Sequence, residues 1–378
     1  MKGFTTKALH TYYKPNGEDG AIIPPLHLTT TFKFGNKSAY DYSRSGNPTR
    51  KILEKTIAAL DGNKYGLAFS SGSTVLATVT HLVEGGEAIL FSTDAYSGTY
   101  RYIVNVAGKQ GLRYRSIDLT DLHIVEKTLK EIKTKLIWVE TPTNPLLKVA
   151  DIKRLSILAD KYRVLLVVDN TFATPIVQQP AELGADIVVY STTKYMNGHS
   201  DSIGGALTTS NNDLFIRLKF LQNAIGAIMS PFDSWLTLRG LRTLELRMNR
   251  HVENAVKVAA FLDKHPKIKK VYYPGLFTGE QGRIVRSQMK APGAMMSIEI
   301  KDKYDVQKFL KKLEFFPLAK SLGGVESLID HPASMTHASI PKAEREKIGL
   351  SDGLLRVSVG IENSADLIAD LKQALSVL

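Results

Sequence analysis

The chain has 378 residues, enough for two or three domains of ordinary size. Its 43% hydrophobic and 23% charged residues make an ordinary globular mix rather than a disordered one, and no apolar run approaches the roughly 20 residues of a membrane-spanning helix. Zero cysteines exclude disulfides, thiolate zinc sites, iron–sulfur clusters and a cysteine nucleophile. A reducing cytoplasm fits that count, and the start Met1-Lys2-Gly3-Phe4 has no apolar block of the kind a signal peptide carries. The 49 Lys and Arg outnumber the 37 Asp and Glu, giving a net charge of +12. That balance could attract nucleic acid or anionic metabolites. The basic residues are spread, however, with only short clusters such as Lys264-His265-Pro266-Lys267-Ile268-Lys269-Lys270, and no zinc-finger or aromatic RNA-binding spacing accompanies them. A basic binding protein is therefore the weaker of two classes, the other being an enzyme.

Pro15, Gly17, Gly20, Pro24 and Pro25 fall in a stretch without sustained period, which predicts an extended arm over 1–45. Helices are expected over 50–60 and 74–83, then a short strand at Ala88-Ile89-Leu90-Phe91. Leu122, Val125, Leu129, Ile132 and Leu136 step by threes and fours, which predicts an amphipathic helix. Strands are expected over 136–139, 164–168 and 187–190, with a helix over 151–162. Strands apolar on both faces and separated by helices imply a mostly parallel sheet covered by helices. A long helical stretch is expected from Trp235 to Leu262, followed by a smaller α/β unit with strands at 295–300 and 355–359.

Ligands of open parallel sheets bind outside the carboxyl ends of the strands. Asp169-Asn170 stands at one such end and Ser191-Thr192-Thr193-Lys194 at another. A buried carboxylate can keep a nitrogen heterocycle protonated, and a lysine in the same pocket can become a nucleophile that forms a Schiff base with an aldehyde. Neighbouring hydroxyls can hold a phosphate. Those parts suit pyridoxal phosphate, although spacing alone equally allows Asp169 to cap a loop and Lys194 to be solvated. Ser70-Ser71-Gly72-Ser73-Thr74, ahead of the helix at 74–83, offers a second phosphate cup, or an ordinary helix cap.

Other motifs fail. Leu166-Val167-Val168-Asp169 lacks the GxxxxGK[ST] loop an ATPase needs, and no GxGxxG is present for a dinucleotide. Gly198-His199-Ser200-Asp201-Ser202 lacks the final glycine and preceding strand of a hydrolase elbow. His199 and Asp201 have no third ligand at helical spacing, so no metal is expected.

Five segments carry a resemblance: Tyr42-Ser43-Arg44-Ser45-Gly46-Asn47-Pro48-Thr49-Arg50, Glu140-Thr141-Pro142-Thr143-Asn144-Pro145, Val168-Asp169-Asn170-Thr171-Phe172, the run from Ser191 to Asp201, and the run from Ser321 to Leu328. In this order, over nearly the whole chain, they resemble the Cys/Met-metabolism family of pyridoxal-phosphate enzymes. The resemblance implies an α/β fold of the aspartate aminotransferase type: the arm over 1–45, a cofactor-binding domain over 46–238 and a smaller C-terminal α/β domain over 239–378. It implies that Lys194 holds pyridoxal 5'-phosphate, that Asp169 pairs with its ring nitrogen and that Tyr96 stacks on the ring and assists proton transfer. Gly72, Ser73, Ser191 and Thr193 would line the phosphate cup. Tyr42 and Arg44 would reach the phosphate of a neighbouring subunit, within a homotetramer built from dimers.

Asn144, Ser321 and Arg356 would hold the substrate carboxylate, with Tyr42, Arg101 and Lys320 completing the substrate pocket. Within the family the likeness is greatest to the cystathionine γ-lyase branch, especially at 42–50, 54–66 and 191–201. This implies γ-elimination of L-cystathionine, with γ-replacement on an acyl-homoserine, β-elimination and methionine γ-elimination as alternatives. There are three departures. Ser73 stands where relatives often have Met or Leu, Lys320 where they commonly have Glu, and Gly98 where methionine γ-lyases have cysteine.

Overall fold

The computed structural model describes residues 3–15, 20–38, 40–335 and 349–378. Seven strands form the large sheet: β1 (Tyr65–Phe69), β2 (Ala88–Ser92), β3 (Arg113–Ile117), β4 (Thr134–Glu140), β5 (Leu165–Asp169), β6 (Ile187–Tyr190) and β7 (Gly205–Thr209). Their spatial order is β1-β7-β6-β5-β4-β2-β3. Strands β3, β2, β4, β5 and β6 pair in parallel, while β7 runs antiparallel to both of its neighbours. Side chains alternate between two buried faces, as the period of two in a strand requires. Phe91, Trp138 and Val167 enter one apolar cluster, and Leu90, Ile137, Leu166 and Val168 enter another. Both faces are covered, so the strands read as unbroken apolar runs.

The smaller sheet holds β8 (Ile268–Tyr272), β9 (Met295–Ile300), β10 (Leu328–Asp330) and β11 (Leu354–Ser358), ordered β10-β11-β9-β8 and antiparallel throughout. Its Met296, Ile298, Leu355 and Val357 share the largest apolar cluster with Met248, Ala255 and Leu262 of the helix Leu244–Asp263. No helix among the described residues is long and apolar enough to cross a membrane.

Several elements differ from the sequence expectation. The arm is not wholly extended, because Phe4–His10 form a helix whose Ala8 is buried. The expected helix through Leu136 stops at Glu131, and Thr134–Glu140 are already strand β4. The long helix from Trp235 to Leu262 is two helices, Pro231–Leu241 and Leu244–Asp263, broken at Arg242-Thr243. Gly240, near the break, packs so tightly on the loop after Lys194 that a Cβ would lie 2.2 Å from the Asn197 carbonyl oxygen. The helix expected from 74 starts at Gly72, because Ser71 and Thr74 cap it reciprocally: the Thr74 N–H donates to Ser71 Oγ, and the Ser71 N–H donates to Thr74 Oγ1.

Candidate active site

A cavity of about 500 Å³ opens at the carboxyl ends of β4, β5 and β6 and is closed on the far side by residues of the smaller sheet and the loop before it. Its lining includes Gly72, Ser73, Tyr96, Arg101, Asn144, Asp169, Ser191, Thr193, Lys194, Lys320, Ser321 and Arg356. Residues far apart in sequence are thus gathered where a parallel sheet presents its ligand site. Tyr42 and Arg44 do not line this cavity; the Arg44 guanidinium instead lies 5.7 Å from the centre of the exposed Tyr42 ring.

Lys194 follows β6, and its Nζ donates to Ser321 Oγ at 2.8 Å. Burial, and secondarily the Arg356 cation, lower its amine from 10.5 to about 8. Asp169 closes β5 and accepts from the Thr171 N–H at 3.0 Å and the Thr171 hydroxyl at 2.5 Å. Burial raises its carboxyl above the ordinary value while those two hydrogen bonds pull it down. Thr171 also accepts from the Ser191 N–H at 2.9 Å, so one side chain ties the end of β5 to the end of β6.

Arg356 on β11 is 4% exposed and held by three groups. It donates to Asn144 Oδ1 and to the Ser321 carbonyl at 3.0 Å each, and lies 3.4 Å from Asp330 Oδ2. Ser321 holds φ at 131°, a strained value for a residue with a Cβ, and that backbone turns its hydroxyl to Lys194 and its carbonyl to Arg356.

The phosphate-cup expectation meets a fitting arrangement at the start of the helix Gly72–Thr80. Among the described residues the Gly72 and Ser73 N–H groups have no acceptor, and both stand at the favourable end of the helix dipole. A Cβ on Gly72 would lie 3.0 Å from Ser191 Cβ, so glycine lets the two loops meet. Thr193 lines the cavity, but its hydroxyl is held by the backbone of Gly204, as donor at 3.2 Å or acceptor at 3.0 Å.

Sequence reasoning assigned no role to Glu140, which lines the cavity at the end of β4 and is paired in register with Asp169. The signal was present: an acidic residue closing an apolar strand, as Asp169 does on β5. Trp138 and Phe172 also line the cavity and were not singled out.

A sheet that delivers a lysine of lowered basicity, a buried carboxylate and an anion-binding helix end to one cavity defines the class of cofactor-dependent enzymes acting on amino acids. The chain belongs to the Cys/Met metabolism PLP-dependent enzyme family, whose sequence profile matches residues 5–376. It is similar to a cystathionine gamma-lyase of Dictyostelium discoideum, 49% identical over 375 residues that cover 98% of this chain and 97% of that one. It is nearly as similar to a cystathionine beta-lyase of Coxiella burnetii, 48% identical over 376 residues with 98% and 97% covered. Among solved structures, a cystathionine gamma synthase of Xanthomonas oryzae pv. oryzae in complex with aminoacrylate and cysteine matches with a TM-score of 0.95 at 43% identity, covering 100% of this chain and 98% of that one. The protein is thus a pyridoxal-phosphate-dependent enzyme of cysteine and methionine metabolism. The residues present fit the cofactor: the free Gly72 and Ser73 N–H groups suit its phosphate, Asp169 its ring nitrogen and Lys194 its aldehyde.

Proposed function

We propose that the chain performs γ-elimination on L-cystathionine, which with water gives L-cysteine, 2-oxobutanoate and ammonia. The observation that carries this reading is Lys194, an amine lowered to about 8 inside a cavity that also presents Arg101, Lys320 and Arg356. A base near neutrality moves protons efficiently, and such general acid–base steps typically contribute about 10² to 10⁴ in rate. Arg101, Lys320 and Arg356 in one cavity suit a substrate carrying two carboxylates, as cystathionine does.

When bound, pyridoxal phosphate supplies an electron sink that loosens protons on the carbons next to the substrate nitrogen. The chain's side chains do the rest. Lys194, Asp169, Gly72, Ser73, Ser191 and Thr193 would hold the cofactor, and Asp169 would keep a proton on its ring nitrogen. Arg356 binds the α-carboxylate through its guanidinium fork, with Asn144 and Ser321 orienting that fork. Lys194 Nζ, released when the substrate amine takes its place, takes the α-proton. Lys194 Nζ, once it has handed that proton on, takes a second from the β-carbon, the bond between sulfur and the γ-carbon breaks, and the departing cysteine thiolate takes a proton from Tyr96 Oη or Lys194 Nζ. Lys320 and Arg101 face the distal carboxylate. Tyr42 and Arg44, exposed and away from their own cavity, complete the site of a neighbouring subunit in a cytoplasmic homotetramer.

The test is the thiol released from L-cystathionine in the absence of any other amino acid. Cysteine released together with ammonia supports γ-elimination. Homocysteine would replace it by β-elimination, and turnover that requires an added acyl-homoserine would replace it by γ-replacement. Lys194→Ala must lose both turnover and the visible absorption of the bound cofactor.

A further inference from the structure

Glu140 is a carboxyl inside the cavity for which the proposed reaction has no use. It is 5% exposed, and among the described residues its one hydrogen bond is to the backbone: the Tyr96 N–H donates to its Oε2 at 2.8 Å. Parallel strands place register partners on the same face, so Glu140 on β4 and Asp169 on β5 present two carboxyls side by side. The cation nearest in role, Arg356, is already committed to Asp330, Asn144 and the Ser321 carbonyl.

We propose that Glu140 is a positioning residue that acts as a neutral hydrogen-bond anchor for Tyr96 rather than as a charge or a proton carrier. The groups facing it are Asp169 on β5, Asp94 in the loop after β2, Arg356 on β11 and the Tyr96 N–H. Burial, then Asp169, push its carboxyl well above the ordinary range, with the Tyr96 N–H opposing them, Asp94 adding a smaller push upward and Arg356 the smallest pull downward. Of the two register-paired carboxyls, Asp169 has two donors from Thr171 and Glu140 only the Tyr96 N–H, so Glu140 is the one that more readily keeps its proton. Tyr96 itself starts a loop-to-helix turn ahead of Ser97–Tyr102 and is 44% exposed, so little packing fixes it. Its ring rests on Gly98, where an added Cβ would lie 2.3 Å from Tyr96 Cε1. Glu140 holds the backbone end of this tyrosine and Gly98 leaves room for the ring.

The reading rests on Tyr96 as a working residue of the proposed site, and it predicts an unusual order of substitutions. Glu140→Gln keeps an acceptor at the same reach and removes only the capacity for charge, so kcat stays within about threefold of the unaltered enzyme. Glu140→Asp keeps the carboxyl but withdraws it by one methylene, leaving the Tyr96 N–H short of its acceptor. Misplacement of a working group by about 1 Å can cost on the order of 10²-fold, so the aspartate variant loses about 10- to 100-fold in kcat with KM changed less than threefold. Cofactor affinity, measured by absorbance titration of the apoprotein, stays within about threefold for the glutamine variant. The pH profile of that variant superimposes on that of the unaltered enzyme.

An aspartate variant as active as the glutamine variant, or more active, would overturn the proposal, as would a glutamine variant with a displaced pH profile. All ratios are taken on the substrate the unaltered enzyme turns over. A failure of γ-elimination therefore shows in that enzyme's product, and a failure of this inference shows in the order of the variants.

Discussion

Replacing Lys194 by methionine removes the amine while keeping an unbranched stem of similar volume, and it is expected to stabilise the apoprotein at neutral pH. In the folded chain this amine sits at about 8 against an ordinary 10.5. The folded state therefore binds the Lys194 proton less tightly than the unfolded state does. Above 10.5 neither state is protonated and the difference vanishes. As pH falls from 10.5 to about 8 the unfolded state takes up a proton that the folded state resists, and below 8 the full penalty applies.

At about 1.4 kcal/mol per pKa unit the ceiling is about 3 kcal/mol. Lys194 is partly open to the cavity, and solvent screening brings this to roughly 2 kcal/mol. Loss of the 2.8 Å hydrogen bond to Ser321 gives back about 1 kcal/mol. The net gain is about 1 kcal/mol at pH 7, a rise of roughly 0.3 M in the urea midpoint for a chain of this size. Paired urea titrations of the apoproteins at pH 7, 9 and 10.5 test it. The gain must shrink as pH rises and disappear or reverse by 10.5. A gain that stays constant with pH, or a loss at pH 7, would refute the claim that this lysine is held against its charge.

Three further outcomes follow from the cavity. Gly72→Ala pushes against Ser191 Cβ at 3.0 Å, so it weakens pyridoxal phosphate binding about 10-fold, about 1.4 kcal/mol, in a titration of the apoprotein; unchanged affinity would place the phosphate elsewhere. Arg356→Lys keeps the charge but loses the fork, raising KM for L-cystathionine about 10- to 100-fold with kcat within about threefold, and a fall confined to kcat would contradict a carboxylate-binding role. Asp169→Asn removes a preorganised charge, lowering kcat by about 10² to 10⁴ in single-turnover measurements while the cofactor stays bound, and retention of normal kcat would remove Asp169 from the mechanism.

The centre of this fold was legible because the strands there are buried on both faces. Leu136–Val139, Val164–Val168 and Ile187–Tyr190 are apolar throughout, and they end at the residues that line the cavity. The flanks were not legible by the same rule. Strand β3 is Arg113-Tyr114-Arg115-Ser116-Ile117, an edge strand exposed over its first three residues, and nothing apolar marks it. Strands β1 and β7 are five residues each and carry Gly66 and Gly205, whose turn-like signal offsets the strand preference of Thr208 and Thr209. The long helical stretch divides at Arg242-Thr243, just past the point where Gly240 meets the backbone of Asn197, a tertiary contact with no local signature.

In the site, Lys194 and Asp169 could be paired from their places at neighbouring strand ends. Arg356 could not be placed from its local pattern, because it lies inside an apolar strand of another sheet; only the family resemblance joined it to Asn144 and Ser321, which the fold brings to it from elsewhere. Glu140 escaped because a carboxyl before Thr141-Pro142 reads as the start of a loop.

The most direct measurement is mass-spectrometric identification of the keto acid released when the purified protein, loaded with pyridoxal phosphate, is given L-cystathionine alone. The account predicts 2-oxobutanoate, in amounts equal to the cysteine formed. Pyruvate in its place would show cleavage on the other side of the sulfur and contradict γ-elimination.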